Sequence, residues 1–449
     1  LWEQAGDAAW VAGEYGASQL DHERAVEQYR RHGRPRDAAR AQAGLGEALR
    51  IQGRHEQARG VLREALDVLS ARPDADTVVA LHRLAAVQTF SGATEEADQL
   101  AREALGLAQA LGLPDPIFID LFTVVGIELS SRSRYVEAAV ALREAARRAE
   151  SAQEGHRAGR ALVNLSSQLL ASDPPAAVAP ARRAVEHCRS TGARGHLETA
   201  TGNLVQALVV TGGWDEAAAA LQAAAGDGLS ELPYVAWVEI FLAVLTGRAI
   251  DVDHRLEAVR AAWADTEDVQ DLACLALTEA LVASSRGDAA GALRHARDAL
   301  RMGHDLGTHA EPSRIGWPLA ADAALALPDM AEVARLLDLL GGHPVGHLPP
   351  LLRAERSRIQ ARVLSVTGGW DEAAAAFEAA IEALRPCGAP YYLALGLVEQ
   401  AEHLERAGQA QAAAAPATEA LGIADRLGAV PLGARARIVL AACPTPTPA

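Results

Sequence analysis

The side chains that could do chemistry are unevenly supplied in this chain. All 42 of its Lys and Arg residues are arginine; lysine is absent. That removes the GxxxxGK[ST] phosphate loop, a Schiff-base amine and a Ser-x-x-Lys nucleophile together. HExxH, GxSxG and GxGxxG are missing as well. His343 and His347 stand four apart, with His304 and His309 upstream, which is the arrangement nearest to a metal site. The Pro-Val-Gly between them opposes a helix and no cysteine is near, so a solvent-facing loop is the better reading. Cys188, Cys274, Cys387 and Cys443 are widely spaced with no CxxC pair, which suggests neither a zinc ribbon nor a disulfide framework and fits a reducing cytoplasm. The expectation is a chain without catalysis, cofactor or metal.

Two constellations remain, and both concern recognition. Tyr234, Trp237 and Phe241 are spaced by three and four, on one face of a helix, in a chain with 7 Trp, 6 Tyr and 5 Phe. They are either an aromatic anchor for a peptide or helix, or bulky filling for an interior short of volume. Arg358 and Arg362 either grip a carboxylate or phosphate or belong to a solvated helix face.

The elements that must position these residues are repeats. TGGWDEAAAA occurs at 211–220 and again at 367–376: glycines for a turn, Asp-Glu suited to a helix N-terminus, and alanines for close packing. Similar turns fall at Gly13, Gly53, Gly92, Ser133, Ser172, Gly212, Gly247, Gly287, Pro328, Gly368 and Gly408, about 40 residues apart. Five and twelve residues after each turn sit small or short side chains, such as Ala58 and Ala65 or Ala373 and Ala380. Seven apart, they share one helical face and mark where the second helix presses on the first. Val252, Val259, Val333 and Leu340, near the turns at 247 and 328, depart from the alanine pattern. Apolar residues make up 50% of the chain but aromatics only 4%, which suits tight helix packing. The separation of the two decapeptides equals four repeat units, which points to duplication within the array.

The order Leu45, Gly46, Leu49, turn Gly53, Ala58, Leu62, Ala65 resembles the tetratricopeptide repeat (TPR), with a unit nearer 40 residues than 34. Trp2 and Gly6 fall on that family's Trp and Gly positions, so the chain is expected to begin partway into a helix and to come from a longer protein. The resemblance implies an all-α, right-handed α-solenoid of about eleven helix-turn-helix hairpins. At 9 to 10 Å between axes, its contour is on the order of 200 Å. It also implies that positions 13, 10, 6 and 3 before each turn line a concave groove. These are Arg40, Glu47, Arg50 and His82; Asp120 and Thr123; Thr199 and Gln206; Tyr234, Trp237 and Phe241; Glu355, Arg358 and Arg362; and Glu402 and Glu405. Second helices end in EALGLAQALGLPD, DALRMGHDLGTHAEP and EALGIADRLGAVP, where Gly112, Gly307 and Gly428 are suited to a left-handed cap. These endings resemble the arrays of large LuxR-type or STAND ATPase bacterial regulators and of repeat-bearing adenylate cyclases.

Residues 1–449 are therefore read as one array, with an internal hinge or a local irregularity near 226 and a tail or linker at 443–449. The net charge of −16 opposes nucleic-acid binding, and no apolar run is long enough to span a membrane. The expected partner is a protein, a peptide or a small effector held in the groove, together with other domains of the same longer chain. The leading reading is a sensor array in a cytoplasmic signalling regulator. The alternatives are a free-standing adaptor or peptide receptor, and an enzyme with its site in the proline-broken 308–350 segment.

Overall fold

The computed structural model describes residues 1–443 except 265 and 267, without the side chains of 94, 305 and 345. The tail expected at 443–449 thus lies, beyond Cys443, outside the described residues. Hairpins one to five pair Trp2–Ala12 with Tyr15–Arg31, Pro35–Ile51 with His55–Leu69, Ala75–Phe90 with Thr94–Ala110, Asp115–Ser131 with Tyr135–Ser151, and Gly155–Ser172 with Pro174–Thr191. Hairpins six to eight pair Arg194–Thr211 with Trp214–Gly226, Pro233–Thr246 with Val252–Ala262, and Val269–Ser285 with Ala289–Met302. Hairpins nine to eleven pair Trp317–Ala326 with Met330–Gly341, Pro350–Thr367 with Trp370–Leu384, and Pro390–Arg406 with Ala410–Leu427. A single helix, Val430–Ala442, follows. The described residues contain no strand, and none of their helices is long and apolar enough to cross a membrane.

The small positions read from the sequence are the helix contacts. From Ser18 and Ala25 to Ala413 and Ala420 they are at most 3% exposed, and Val252, in the short hairpin seven, is the one that is partly open. The partner position on the first helix must also lack bulk: a Cβ on Gly126 would lie 2.4 Å from Leu142 Cγ, and one on Gly46 2.6 Å from Leu62 Cγ. At the turns the backbone reverses through a left-handed residue, as at Gly53 (φ 74°) and Gly368 (φ 93°), where glycine avoids the Cβ clash.

The first helices are buried nearly all round, and the second helices along one face. Eleven residues of Pro35–Ile51 are buried but only four of His55–Leu69, as expected for an inner and an outer layer. The superhelix is tight enough that successive turns touch. The turn at Gly13 packs on Gly195, Gly212 on Pro390, and Gly247 on Pro431. Tyr135 Oη hydrogen-bonds Thr308 Oγ1 at 2.5 Å and donates to the His347 carbonyl at 3.0 Å. Hairpin one therefore lies on hairpin six and hairpin six on hairpin eleven, so about five repeats complete one turn. The expected groove is consequently an internal lumen and not an open trough.

One reading near the irregular segment changes. The helix ending at Met302 is followed by a tight 3-10 turn, Gly303–Leu306, so Gly307 ends that turn and not the helix, and with φ 87° and ψ 174° it lies outside the left-handed helical conformation. Gly112 and Gly428 do take the left-handed conformation. Near 226, the loop before hairpin seven is pinned: Leu229 is fully buried, Arg194 donates to the Gly228 carbonyl, and Arg255 donates to the Ser230 carbonyl.

Candidate functional site

The lumen differs between the two turns. In the second turn it is filled. Arg358 is 0% exposed and donates to Glu355, to both oxygens of Glu399 and to both oxygens of Asp322 at 2.8 to 3.2 Å. Arg362 joins Asp322 and Glu399. Arg358 is therefore not on a solvated helix face, because the coil of the array brings three carboxylates around it, and its charge is matched within the chain. Burial outweighs Arg358 at Glu355 and raises that carboxyl to about 7. Tyr391 and Tyr392 pack against each other beside this cluster.

In the first turn the lumen is hollow. A cavity of about 460 Å³ is lined by the first helices of hairpins one to eight, by Tyr15 at the start of the second helix of hairpin one, and by Leu306, His309, Ala310 and Glu311. The hairpin eight to nine connection covers part of it. Arg314 ties this connection across the lumen, donating to the His309 carbonyl (2.6 Å), Glu311 (3.0 Å) and Gln206 of hairpin six (2.6 Å). The prolines that shorten the helices here thus free a segment to serve as a plug.

Glu47, Arg50, His82, Thr199, Gln206, Tyr234 and Trp237 line this cavity. Arg50 donates twice to Glu47 at 2.9 Å, and this pairing holds the Glu47 carboxyl far below its usual range despite burial. Phe241 lies behind the wall, 2% exposed and stacked on Trp237 at 6.0 Å. The aromatic stripe is thus divided: Tyr234 and Trp237 face the cavity, while Phe241 is core filling. Arg40 is elsewhere, bonded to Glu3 of hairpin one at 2.7 and 2.9 Å, because its side chain reaches the neighbouring first helix. His343 and His347 are exposed, and no cluster of three or more His, Cys, Asp or Glu suited to a metal ion occurs among the described residues.

Several wall residues were not legible in the sequence: Trp10, Tyr15, Phe90, His196, Glu198, Asp268, Asp271 and His309. A closed lumen exposes a wider arc of each first helix than an open groove does. Glu198, one residue before the groove position Thr199, falls in that wider arc. Glu198 accepts the Tyr234 amide at 2.9 Å, and Asp271 accepts the Tyr234 hydroxyl at 2.8 Å and the Thr266 hydroxyl at 3.1 Å. Burial raises Glu198 to about 7 and Asp271 to about 6, each helped by a neighbouring carboxylate. Burial also lowers His82 and His309 to about 4 and His196 to about 3, so these imidazoles are neutral. A second, wider groove of about 880 Å³ lies on the outer face between hairpins eight and nine. Two of its arginines, Arg297 and Arg335, both pair with Glu332.

Residues 37–110, which span hairpins two and three, match the tetratricopeptide repeat family. The chain is a TPR-type helical array. No curated protein sequence matches it. Among solved structures it is similar to the human IFIT1 dimer with PPP-AAAA, at 15% identity over 90% of each chain with a TM-score of 0.49. It is also similar to the APC/C hetero-tetramer Cut9-Hcn1, at 13% identity over 96% of this chain and 95% of that one, with a TM-score of 0.43.

Proposed function

We propose that this TPR-type array is a non-catalytic sensor whose first superhelical turn encloses a small effector. The observation that carries this reading is the lumen cavity itself: 460 Å³ falls in the range of small-molecule sites. Its wall interleaves aromatic and aliphatic side chains with many polar and charged ones, which suits an occupant that has both an apolar body and hydrogen-bonding groups. The lining comes from eight hairpins and the 306–311 plug, so an occupant touches elements far apart in sequence. An occupant at a hundred times its Kd stabilises the occupied arrangement by about 2.7 kcal/mol, enough to shift how one turn seats on the next. The outer helices then present that state to a protein partner, in keeping with the scaffold role of such arrays. The long repeat unit and the endings of its second helices support placement in a cytoplasmic bacterial signalling regulator beside a switch domain. A free-standing adaptor would use the same lumen. The net charge of −16 argues against nucleic acid as the occupant.

The test fills the cavity from within. Ser167 lines it and has no side-chain hydrogen bond among the described residues, so Ser167→Trp places an indole in the lumen. A library of small amines, carboxylates, sugars and neutral aromatics is screened by thermal shift on both proteins. At least one compound should raise the Tm of the parent and leave Ser167→Trp unmoved. Hits that act equally on both proteins would refute the reading.

A further inference from the structure

The charges on the cavity wall are not balanced, and the imbalance says what kind of molecule fits. Glu47 is matched by Arg50, Glu311 by Arg314 and Arg160 by Asp120. Three carboxylates remain without a basic partner among the described residues: Glu198, Asp268 and Asp271. Asp268 caps the first helix of hairpin eight, accepting the Gln270 amide at 2.7 Å. Glu198 reaches from hairpin six to the first turn of the Pro233–Thr246 helix, and Asp271 accepts the Tyr234 and Thr266 hydroxyls. They bracket Tyr234, one at its amide and the other at its hydroxyl, and Trp237 lies one helical turn further along the same wall.

Two carboxylates beside two aromatic rings in an enclosed site form a receptor for an organic cation: the rings attract it through their faces and the carboxylates supply charge-assisted acceptors. The imidazoles of the wall carry no opposing charge. His82 is 6% exposed, lines the cavity, and its Nδ1 has no hydrogen-bond partner; His309 Nδ1, also on the wall, is likewise unpaired among the described residues. Burial keeps both imidazoles neutral, so neither opposes a cation in the cavity.

We infer that the lumen binds a small organic amine in its ammonium form, held by Glu198 and Asp271 with its carbon skeleton against Tyr234 and Trp237. This rests on the lumen being an effector site. The ammonium needs no basic residue to leave and no peptide backbone to recognise, which separates it from the peptide partners expected of an open groove. Its charge offsets the two carboxylates that the fold otherwise buries uncompensated.

Calorimetric titration of the full chain with phenethylamine, 2-phenylethanol and 3-phenylpropionate separates charge from shape. Phenethylamine should bind at least tenfold more tightly than the alcohol, and phenylpropionate more weakly than either. In the double variant Glu198→Gln, Asp271→Asn that tenfold advantage should vanish while the alcohol's affinity is unchanged. Both changes are isosteric and remove buried charge, so the fold is retained. Equal binding of amine and alcohol, no binding of the amine, or an advantage that survives the double variant overturns the cation assignment. Equal binding that Ser167→Trp abolishes overturns the cation assignment alone and leaves the lumen as an effector site. If Ser167→Trp changes no probe's binding, both fall together.

Discussion

Glu198→Gln should stabilise this protein, and by an amount that depends on pH. In the fold the Glu198 carboxyl is raised from an ordinary 4.5 to about 7, chiefly by burial in the lumen wall and secondarily by Asp271. Between these values the folded chain holds a proton that the unfolded chain has released, so stability falls as pH rises. The favourable contribution is complete below about pH 4.5 and lost by about pH 7. With 1.36 kcal/mol per unit, the ceiling on the loss is about 3 kcal/mol. Glutamine keeps a carbonyl to accept the Tyr234 amide and carries no charge at any pH. The variant should therefore match the parent at pH 4.5 and exceed it by up to about 3 kcal/mol at pH 7.5. Hydrogen exchange at the Tyr234 amide reads this locally, after correction for intrinsic rates. The parent should lose up to about a hundredfold in protection across this range, since 1.36 kcal/mol is a factor of ten, and the variant should hold its protection. The same pH dependence in both proteins would show that Glu198 is not buried as an uncompensated acid.

Three further outcomes follow from the packing. Arg358→Met leaves Glu355 without a basic partner and Asp322 and Glu399 with Arg362 alone, and breaking such a buried cluster on one side costs about 3 to 5 kcal/mol; urea denaturation should show this at pH 7.5 and a smaller loss at pH 5, where carboxylates take up protons. Gly126→Ala drives a Cβ to 2.4 Å from Leu142 and should cost about 1 to 3 kcal/mol, whereas Gly60→Ala, with nothing within 4 Å, should gain up to about 1 kcal/mol; thermal melts distinguish them by sign. Trp214→Ala should cost about 3 to 5 kcal/mol, because its ring is 5% exposed, donates to the Val209 carbonyl at 2.8 Å and meets Tyr391 at 5.9 Å; Trp370→Ala, at a ring 43% exposed, should cost well under half of that in the same assay.

The hairpins were legible because their signal is local. A turn glycine and small residues five and twelve positions on are a complete instruction for one helix pair, and Ala58, Ala65 and their counterparts are buried as that instruction requires. Glu47, Arg50, Tyr234 and Trp237 were also legible as inward-facing positions, since the first helix has one inner face. The closing of the lumen was not legible. It depends on contacts between hairpins five units apart, such as Gly212 on Pro390 and Tyr135 on Thr308, and no periodicity records which residues meet across a superhelical turn. The burial of Arg358 was missed for the same reason: its partners Asp322 and Glu399 lie 36 and 41 residues away on the helices to either side, so the residue reads as exposed when only its own helix is considered. The plug was visible merely as a break in rhythm around 308–350, because prolines announce where helices stop and not where the freed chain goes.

The duplicated decapeptide shows how much the coil adds to the repeat. Trp214 and Trp370 open second helices that share the first seven residues, WDEAAAA, after identical Thr-Gly-Gly turns, yet one is buried and the other is nearly half exposed. Local sequence cannot account for that difference. Hairpin six has hairpin eleven seated on it, whereas no described element lies five hairpins beyond hairpin ten, so Trp370 only stacks on His403 of the adjoining hairpin at 5.4 Å. The same logic separates the two lumens. Where the inner faces present Asp322, Glu355, Arg358 and Glu399 to one another, charge is matched and the space is filled. Where they present Glu198 and Asp271 beside Tyr234 and Trp237, charge is unmatched and the space is left open. A chain of similar hairpins thus packs the lumen of one turn and leaves a cavity in the other by changing only which side chains the coil brings face to face.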